Sequence, residues 1–189
     1  MNQQKIYQLF ADLLDYPSPN LLERAQQLAH LLVSHYPQVS QLIEEFFQAI
    51  KNTPISRLEE IYTSTFDLNP TCYPYVGYQL FGDGYQRGDF LVKLKEKYQQ
   101  QGFSYDSSEL ADHLTIVLQF LATLSPETIL AQELIEDGLI PALEKIKVGF
   151  KQKNYYVEIL DALLLIIKQR SGKAKISEQW EKELDINQR

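Results

Sequence analysis

Apolar residues recur every three or four positions from Ile6 to Ile167, and nowhere do they alternate in steps of two over the length that a strand needs. That pattern restricts the chain to helices packed on helices, an all-α class. Ile6, Leu9, Phe10, Leu13 and Leu14 mark a first helix over residues 3–14, closed by Pro17 and Pro19. Asn20 is placed to cap a second, carrying Leu21, Leu28, Leu31 and Leu32 and ending before Pro37. A third spans 39–52 around Leu42, Ile43, Phe46, Phe47 and Ile50. A fourth starts at Pro54, where Ser56 and Glu59 have the spacing of a capping box, and runs along Leu58, Ile61, Tyr62 and Phe66.

The periodicity breaks once, between Tyr62 and Asp89. Pro70 and Pro74 forbid a continuous helix there, and Gly77, Gly82, Gly84 and Gly88 add backbone freedom that costs stability unless a turn or a close approach uses it. The same stretch holds Phe66, Tyr73, Tyr75, Tyr78, Phe81 and Tyr85. Such rings are either the loop's own small core or a recognition surface between rigid helices.

Beyond it the helical pattern resumes. Phe90, Leu91, Leu94 and Tyr98 predict a helix over 89–101 that stops at Gly102. Asp106 with Glu109, or Ser108 alone, is expected to cap the next, burying Leu110, Leu114, Val117, Leu118 and Leu121. Ser125 and Pro126 open a further helix, which Gly138 and Pro141 should bend or divide before Phe150. Asn154 is expected to cap a helix over 155–170 that is apolar on almost every side and belongs in the middle of a bundle. Residues 1–170 therefore read as one domain of eight to ten helices, and 171–189, polar apart from Trp180 and Leu184, as a flexible tail.

At 189 residues the chain is long enough for a core without staples, and its single cysteine, Cys72, allows neither an internal disulfide nor a CxxC metal motif. A formal charge of −7 and the lack of a basic stripe argue against nucleic acid. The N-terminus lacks the basic and apolar regions of a signal peptide, and the apolar run 162–167 is far short of a membrane span, so a cytoplasmic protein without membrane insertion is expected. No enzyme chemistry is legible. There is no Glu-x-x-His pair for a di-iron centre and no Gly-x-Ser-x-Gly elbow. Gly82 to Gly84 are too short a run to cradle phosphate, which leaves nucleotide or cofactor turnover the least supported reading, and no bound cofactor is expected. His30 and His35, five apart and so on different helix faces, read as surface or boundary residues rather than ligands. His113 falls on the apolar side of its helix, either a core or edge histidine paired to a carbonyl or a functional one.

FDLNP at 66–70, LFGDG at 80–84, Arg87, FLVKLKEKY at 90–98, Gly102 and ELADHL at 109–114 follow one another in this order. Together they resemble the NarJ family, the delta-subunit assembly chaperones of respiratory nitrate reductase within the TorD-like and DmsD-like class. The resemblance spans about residues 58–120, and Ala111 replaces the proline usual in the last motif. It implies a TorD-like helical chaperone that binds the N-terminal peptide of the nitrate reductase catalytic (alpha) subunit. On that reading it holds the apoenzyme for molybdenum cofactor and iron–sulfur insertion before membrane attachment. A standing structural or regulatory subunit, or a chaperone for another molybdoenzyme, are the alternatives, and the chain is either a monomer or a segment-swapped dimer.

The expected peptide groove lies between the broken stretch and the helix near Glu109. Its candidate residues are Phe66, Asp67, Pro70, Tyr75, Tyr78, Phe81, Asp83, Arg87, Glu109, Asp112 and His113. The rings would supply apolar contact, exposed backbone at Gly77 and Gly82 would allow close approach, and the carboxylates, Asp89 included, would face Lys or Arg of the guest. Arg87 would fix the wall by pairing with Asp112 or Asp67, or reach a carboxylate of the partner. At a groove rim, His113 would titrate near neutral pH and tune affinity.

Overall fold

The computed structural model describes residues 3–106, 108–150 and 154–169, and all regular structure among them is helical. Helix α1 is Gln3–Leu14, α2 Leu21–Leu32, α3 Pro37–Ile50 and α4 Ile55–Tyr62. After α4 the chain widens into a π turn, Thr63–Asp67, and then a single 3-10 turn, Pro70–Cys72. Helix α5 is Val76–Phe81, α6 Tyr85–Gln100, α7 Leu114–Leu121 and α8 Ile129–Glu133. A second π segment, Leu134–Leu139, leads into α9, Ile140–Val148, and α10 occupies residues 156–169. Gly138 sits in that π segment and Pro141 in the first turn of α9, so the expected division falls where those residues put it.

Helix α1 packs on α2 and α7, α2 on α3, and α5 on both α6 and α9. One hydrophobic cluster runs through these contacts from Ile6 to Ile167. Ile159, Leu160, Ala162, Leu163, Ile166 and Ile167 of α10 are wholly buried, which places this helix in the bundle's centre. Asn154 caps it as expected: Oδ1 accepts from Tyr156 N at 2.9 Å while Nδ2 donates to Thr65 Oγ1 at 2.6 Å, tying α10 to the first π turn. Residues 171–189, with Trp180 and Leu184, lie outside the described residues.

Four local expectations are corrected. Ser56 and Glu59 form no capping box, because Pro54 is the N-cap and Ser56 already lies in the first turn. Asn20 stands at the N-cap of α2 without a side-chain cap bond. Helix α6 begins at Tyr85, four residues before Asp89, and runs through Gly88, whose missing side chain faces open space. The helix expected from Asp106 or Glu109 begins only at Leu114, and Leu110 is exposed rather than buried. The cause lies in the backbone of 111–114, whose polar groups are taken by other segments. Val76 N donates to Asp112 O (2.8 Å), Leu114 N to Pro74 O (2.7 Å) and Tyr98 Oη to Ala111 O (2.8 Å). Ala111 is therefore a buried loop residue, not part of a first helical turn.

Candidate functional site

Those two backbone bonds make a short antiparallel bridge between Tyr75 and His113, which clamps the broken stretch against the segment leading into α7. Helix α5 follows at once. It forms despite Gly77 because that glycine is needed for contact: a Cβ there would lie 2.7 Å from Phe90 Cδ1 and 2.8 Å from Asp112 Oδ2. The close approach at Gly77 is thus made by the chain's own side chains, and Gly77 is buried, not an exposed landing strip for a guest. Gly82, with φ of 72°, ends α5 in a conformation that favours glycine.

Asp112, 0% exposed, accepts two hydrogen bonds from Arg87, Nε to Oδ2 at 3.0 Å and Nη2 to Oδ1 at 3.2 Å. This bidentate geometry suits a planar guanidinium and a carboxylate. The same guanidinium lies 5.1 Å from the Tyr75 ring centroid and 5.6 Å from that of Tyr78, within cation–π range of both. Asp83 adds a looser ion pair at 3.8 Å. Burial works against the Arg87 charge, but the hydrogen bonds and charge of Asp112 outweigh it and leave its pKa above the ordinary value. Arg87 is therefore the structural pin of the wall, and its partner is Asp112 rather than Asp67. Asp112 correspondingly has no carboxylate to offer a guest.

Tyr75 Oη donates to Glu109 Oε1 at 3.1 Å. Burial first, then the Glu109 charge, pushes the phenol up to about 12. His113 is the N-cap of α7, its Nδ1 accepting from Thr115 N at 3.4 Å and lying 2.7 Å from Thr115 Oγ1. Its partner is thus a hydroxyl and not a carbonyl. Burial lowers its pKa below the ordinary value of 6.5, against the pull of Glu109, Asp15, Asp112 and Asp67. A ring held neutral at neutral pH and 6% exposed does not act as a rim switch.

The remaining candidates separate by burial. Phe66 is 1% exposed and packs its ring against Tyr62, Phe150 and Tyr156, so it belongs to the core. Phe81 is 44% exposed, Tyr78 is half-buried against Tyr73, and Asp67, Pro70, Asp83 and Asp89 are exposed. Tyr85, one of the rings of the broken stretch, is 85% exposed, and Leu110, which periodicity had assigned to a helix's buried face, is 42% exposed. Two further supports carry no sequence signal. Buried Gln79 donates from Nε2 to Tyr73 O at 2.9 Å, and Lys145 of α9 donates to Gln79 O at 2.7 Å.

Among the described residues no cluster of His, Cys, Asp or Glu could hold a metal ion, and no helix is long and apolar enough to cross a membrane. The bundle has the fold of a redox enzyme maturation protein. A crystal structure so described, from Archaeoglobus fulgidus, aligns with a TM-score of 0.62 over 87% of this chain and 93% of that one, at 22% identity. The sequence profile of the nitrate reductase delta subunit matches residues 30–152. The "Probable nitrate reductase molybdenum cofactor assembly chaperone NarJ" of Bacillus subtilis is 32% identical over 127 residues, covering 67% of this chain and 68% of that protein. The nitrate reductase molybdenum cofactor assembly chaperone NarJ of Escherichia coli is 24% identical over 170 residues, covering 88% of this chain and 71% of that protein. The chain belongs to the nitrate reductase delta subunit family, whose NarJ relatives are described as assembly chaperones and not as catalysts.

Proposed function

We propose that this protein binds the N-terminal segment of the catalytic subunit of a nitrate reductase. It then holds the apoenzyme while molybdenum cofactor and iron–sulfur clusters are inserted, before membrane attachment. The observation that carries this reading is a wall pinned by a buried ion pair, beside exposed aromatic and apolar side chains and a set of carboxylates. Arg87, Asp112, Tyr75 and His113 hold the wall. Phe81, Tyr78, Tyr85 and Leu110 receive the apolar face of an amphipathic peptide, and Asp67, Asp83, Asp89 and Glu109 oppose its basic residues. All of these lie inside the span that the family profile matches. Recognition here needs shape and charge only, with no covalent step.

Titration calorimetry with a synthetic peptide of the client's N-terminal segment tests it. Phe81→Ala and Tyr78→Ala remove rigid rings at the face and should each weaken binding by about 1–2 kcal/mol, roughly five- to thirtyfold. Wild-type affinity in both variants refutes this location. A standing subunit of the finished complex is the competing role, favoured by the family's description as a delta subunit. Copurification decides, since a chaperone accompanies the apoenzyme and is missing from the mature complex.

A further inference from the structure

The outward side of α6 carries two large exposed apolar side chains. Tyr85 is 85% exposed and Val92, two turns further on, is 58% exposed. Gly88 stands between them on the same side, and a Cβ there would meet nothing within 4 Å. The face is thus two apolar ridges about 10 Å apart with a notch between them. Asp83, just ahead of the helix, and Asp89, in its second turn, lie beside it and are exposed.

The chain's own sequence holds a match for this face. Beyond α10, Ile176, Trp180 and Leu184 recur every four residues, while Glu178, Lys182, Asp185 and Arg189 fall on the opposite side of a helical projection. As a helix, that stripe would be about 12 Å long, with its largest side chain in the middle, where α6 has its gap. Lys173 and Lys175 precede the stripe as Asp83 precedes Tyr85. A parallel approach sets cation beside carboxylate and Trp180 over Gly88.

The course of α10 puts this segment within reach. Lys168 in its last turn bonds Glu144 of α9 at 2.5 Å, and the next residue, Lys145, bonds Gln79 O of α5, which packs on α6. From α10 to α6 is therefore three helix contacts, about 25 Å in all at the usual helix spacing. The seven steps from residue 169 to Ile176 span about that distance when extended.

We propose that residues 176–184 of this chain dock as an amphipathic helix on the open face of α6, with Trp180 in the notch at Gly88. Tyr85 also belongs to the face offered to the client, so the tail and the client compete for that ring, a consequence that rests on the function proposed above. The helices beneath keep their places and only the tail lifts off.

Trp180 is the chain's single tryptophan, so its fluorescence reports on the contact without a label. In the full chain, excited beyond the tyrosine band, it should emit to the blue of a synthetic peptide of residues 171–189 and resist acrylamide quenching. Tyr85→Ala, Val92→Ala and Gly88→Gln should each move both values toward the peptide's. All three positions are exposed on α6, and the new residues suit a helix better than those they replace, so the fold survives. Phe81→Ala should leave Trp180 protected. Equal accessibility in chain and peptide, or protection that none of the three α6 variants lowers, would overturn the docking. So would protection that grows with protein concentration, the mark of a second copy's tail. Trp180→Ser with Leu184→Ser should tighten binding of the client's N-terminal peptide in titration calorimetry by about three- to tenfold, the gain from freeing a face covered most of the time. Unchanged affinity, with Phe81→Ala still weakening the client in that background, overturns the competition. Client binding indifferent to both Phe81→Ala and Tyr78→Ala refutes the client site instead and leaves the Trp180 result standing.

Discussion

Replacing Arg87 by methionine keeps much of the aliphatic stem but removes the guanidinium that lies over Tyr75 and Tyr78 and strips both donors from Asp112. The carboxylate is 0% exposed and is locked in place by backbone bonds on either side, Val76 N to Asp112 O and Leu114 N to Pro74 O. It therefore cannot swing out to water without undoing the bridge. Two charge-assisted hydrogen bonds are lost, each worth about 1.5–3 kcal/mol, and removing one partner of a buried pair costs about 3–5 kcal/mol in all. For a chain of this size that lowers the melting temperature by about 2–4 °C per kcal/mol. Asp112→Asn should cost less, because the Arg87 side chain is 13% exposed and retains Asp83 nearby. The double variant should fall short of the sum of the singles by at least about 1 kcal/mol, since the two share one interaction. Urea unfolding followed by circular dichroism gives the energies. Hydrogen exchange gives the place, with the Val76 and Leu114 amides losing protection before those of α1 and α2. An Arg87→Met cost below about 1 kcal/mol, or strict additivity, would refute the reading of this pair as the pin of the wall.

Gly149→Ala would set a Cβ 2.6 Å from Thr71 O and 2.8 Å from Cys72 Sγ. The first of these is backbone and cannot rotate aside, so a loss of about 1–3 kcal/mol in urea unfolding is expected, more than the helix propensity of alanine returns. A neutral or stabilised variant would show that this contact yields easily. For His113, burial lowers the folded pKa below 6.5, so the unfolded chain takes up the proton more readily. Its contribution to stability is complete above about 6.5 and is lost as pH falls from there through the folded value. His113→Asn, which keeps a capping side chain, should flatten the fall in stability over this window by up to about 1.4 kcal/mol per pH unit. Parallel stability profiles for wild type and variant would rule that contribution out.

The helices with a one-sided apolar stripe were legible at once, and α1 falls on the residues that periodicity assigned to it. What periodicity does not register is where backbone groups from distant segments pair. Residues 109–113 carry helix-compatible side chains, yet their fate depends on Pro74, Val76 and Tyr98, far away in sequence. Phe66, by contrast, was legible as the end of the stripe of Leu58, Ile61 and Tyr62, and it reaches the core against Tyr62 and Tyr156 even though the helix has widened there into a π turn. In the site, Asp112 was one of three partners open to Arg87 in the sequence, beside Asp67 and a carboxylate of the guest, and only its burial against the guanidinium decides among them. The burial of Gly77 was not legible, because a glycine reads the same whether its open side meets solvent or Phe90.

Gly149 has an effect beyond its own neighbourhood. It seats the end of α9 on Thr71 and Cys72, while Lys145 from the same helix grips the carbonyl of Gln79. The irregular stretch is thus bolted at both ends to one rod, with the Tyr75 and His113 bridge as a third fastening between them. A segment held that way has little freedom left to surrender. Whatever docks on it must bring its own order, and the rate of capture should follow the disorder of the incoming strand rather than any opening of the host.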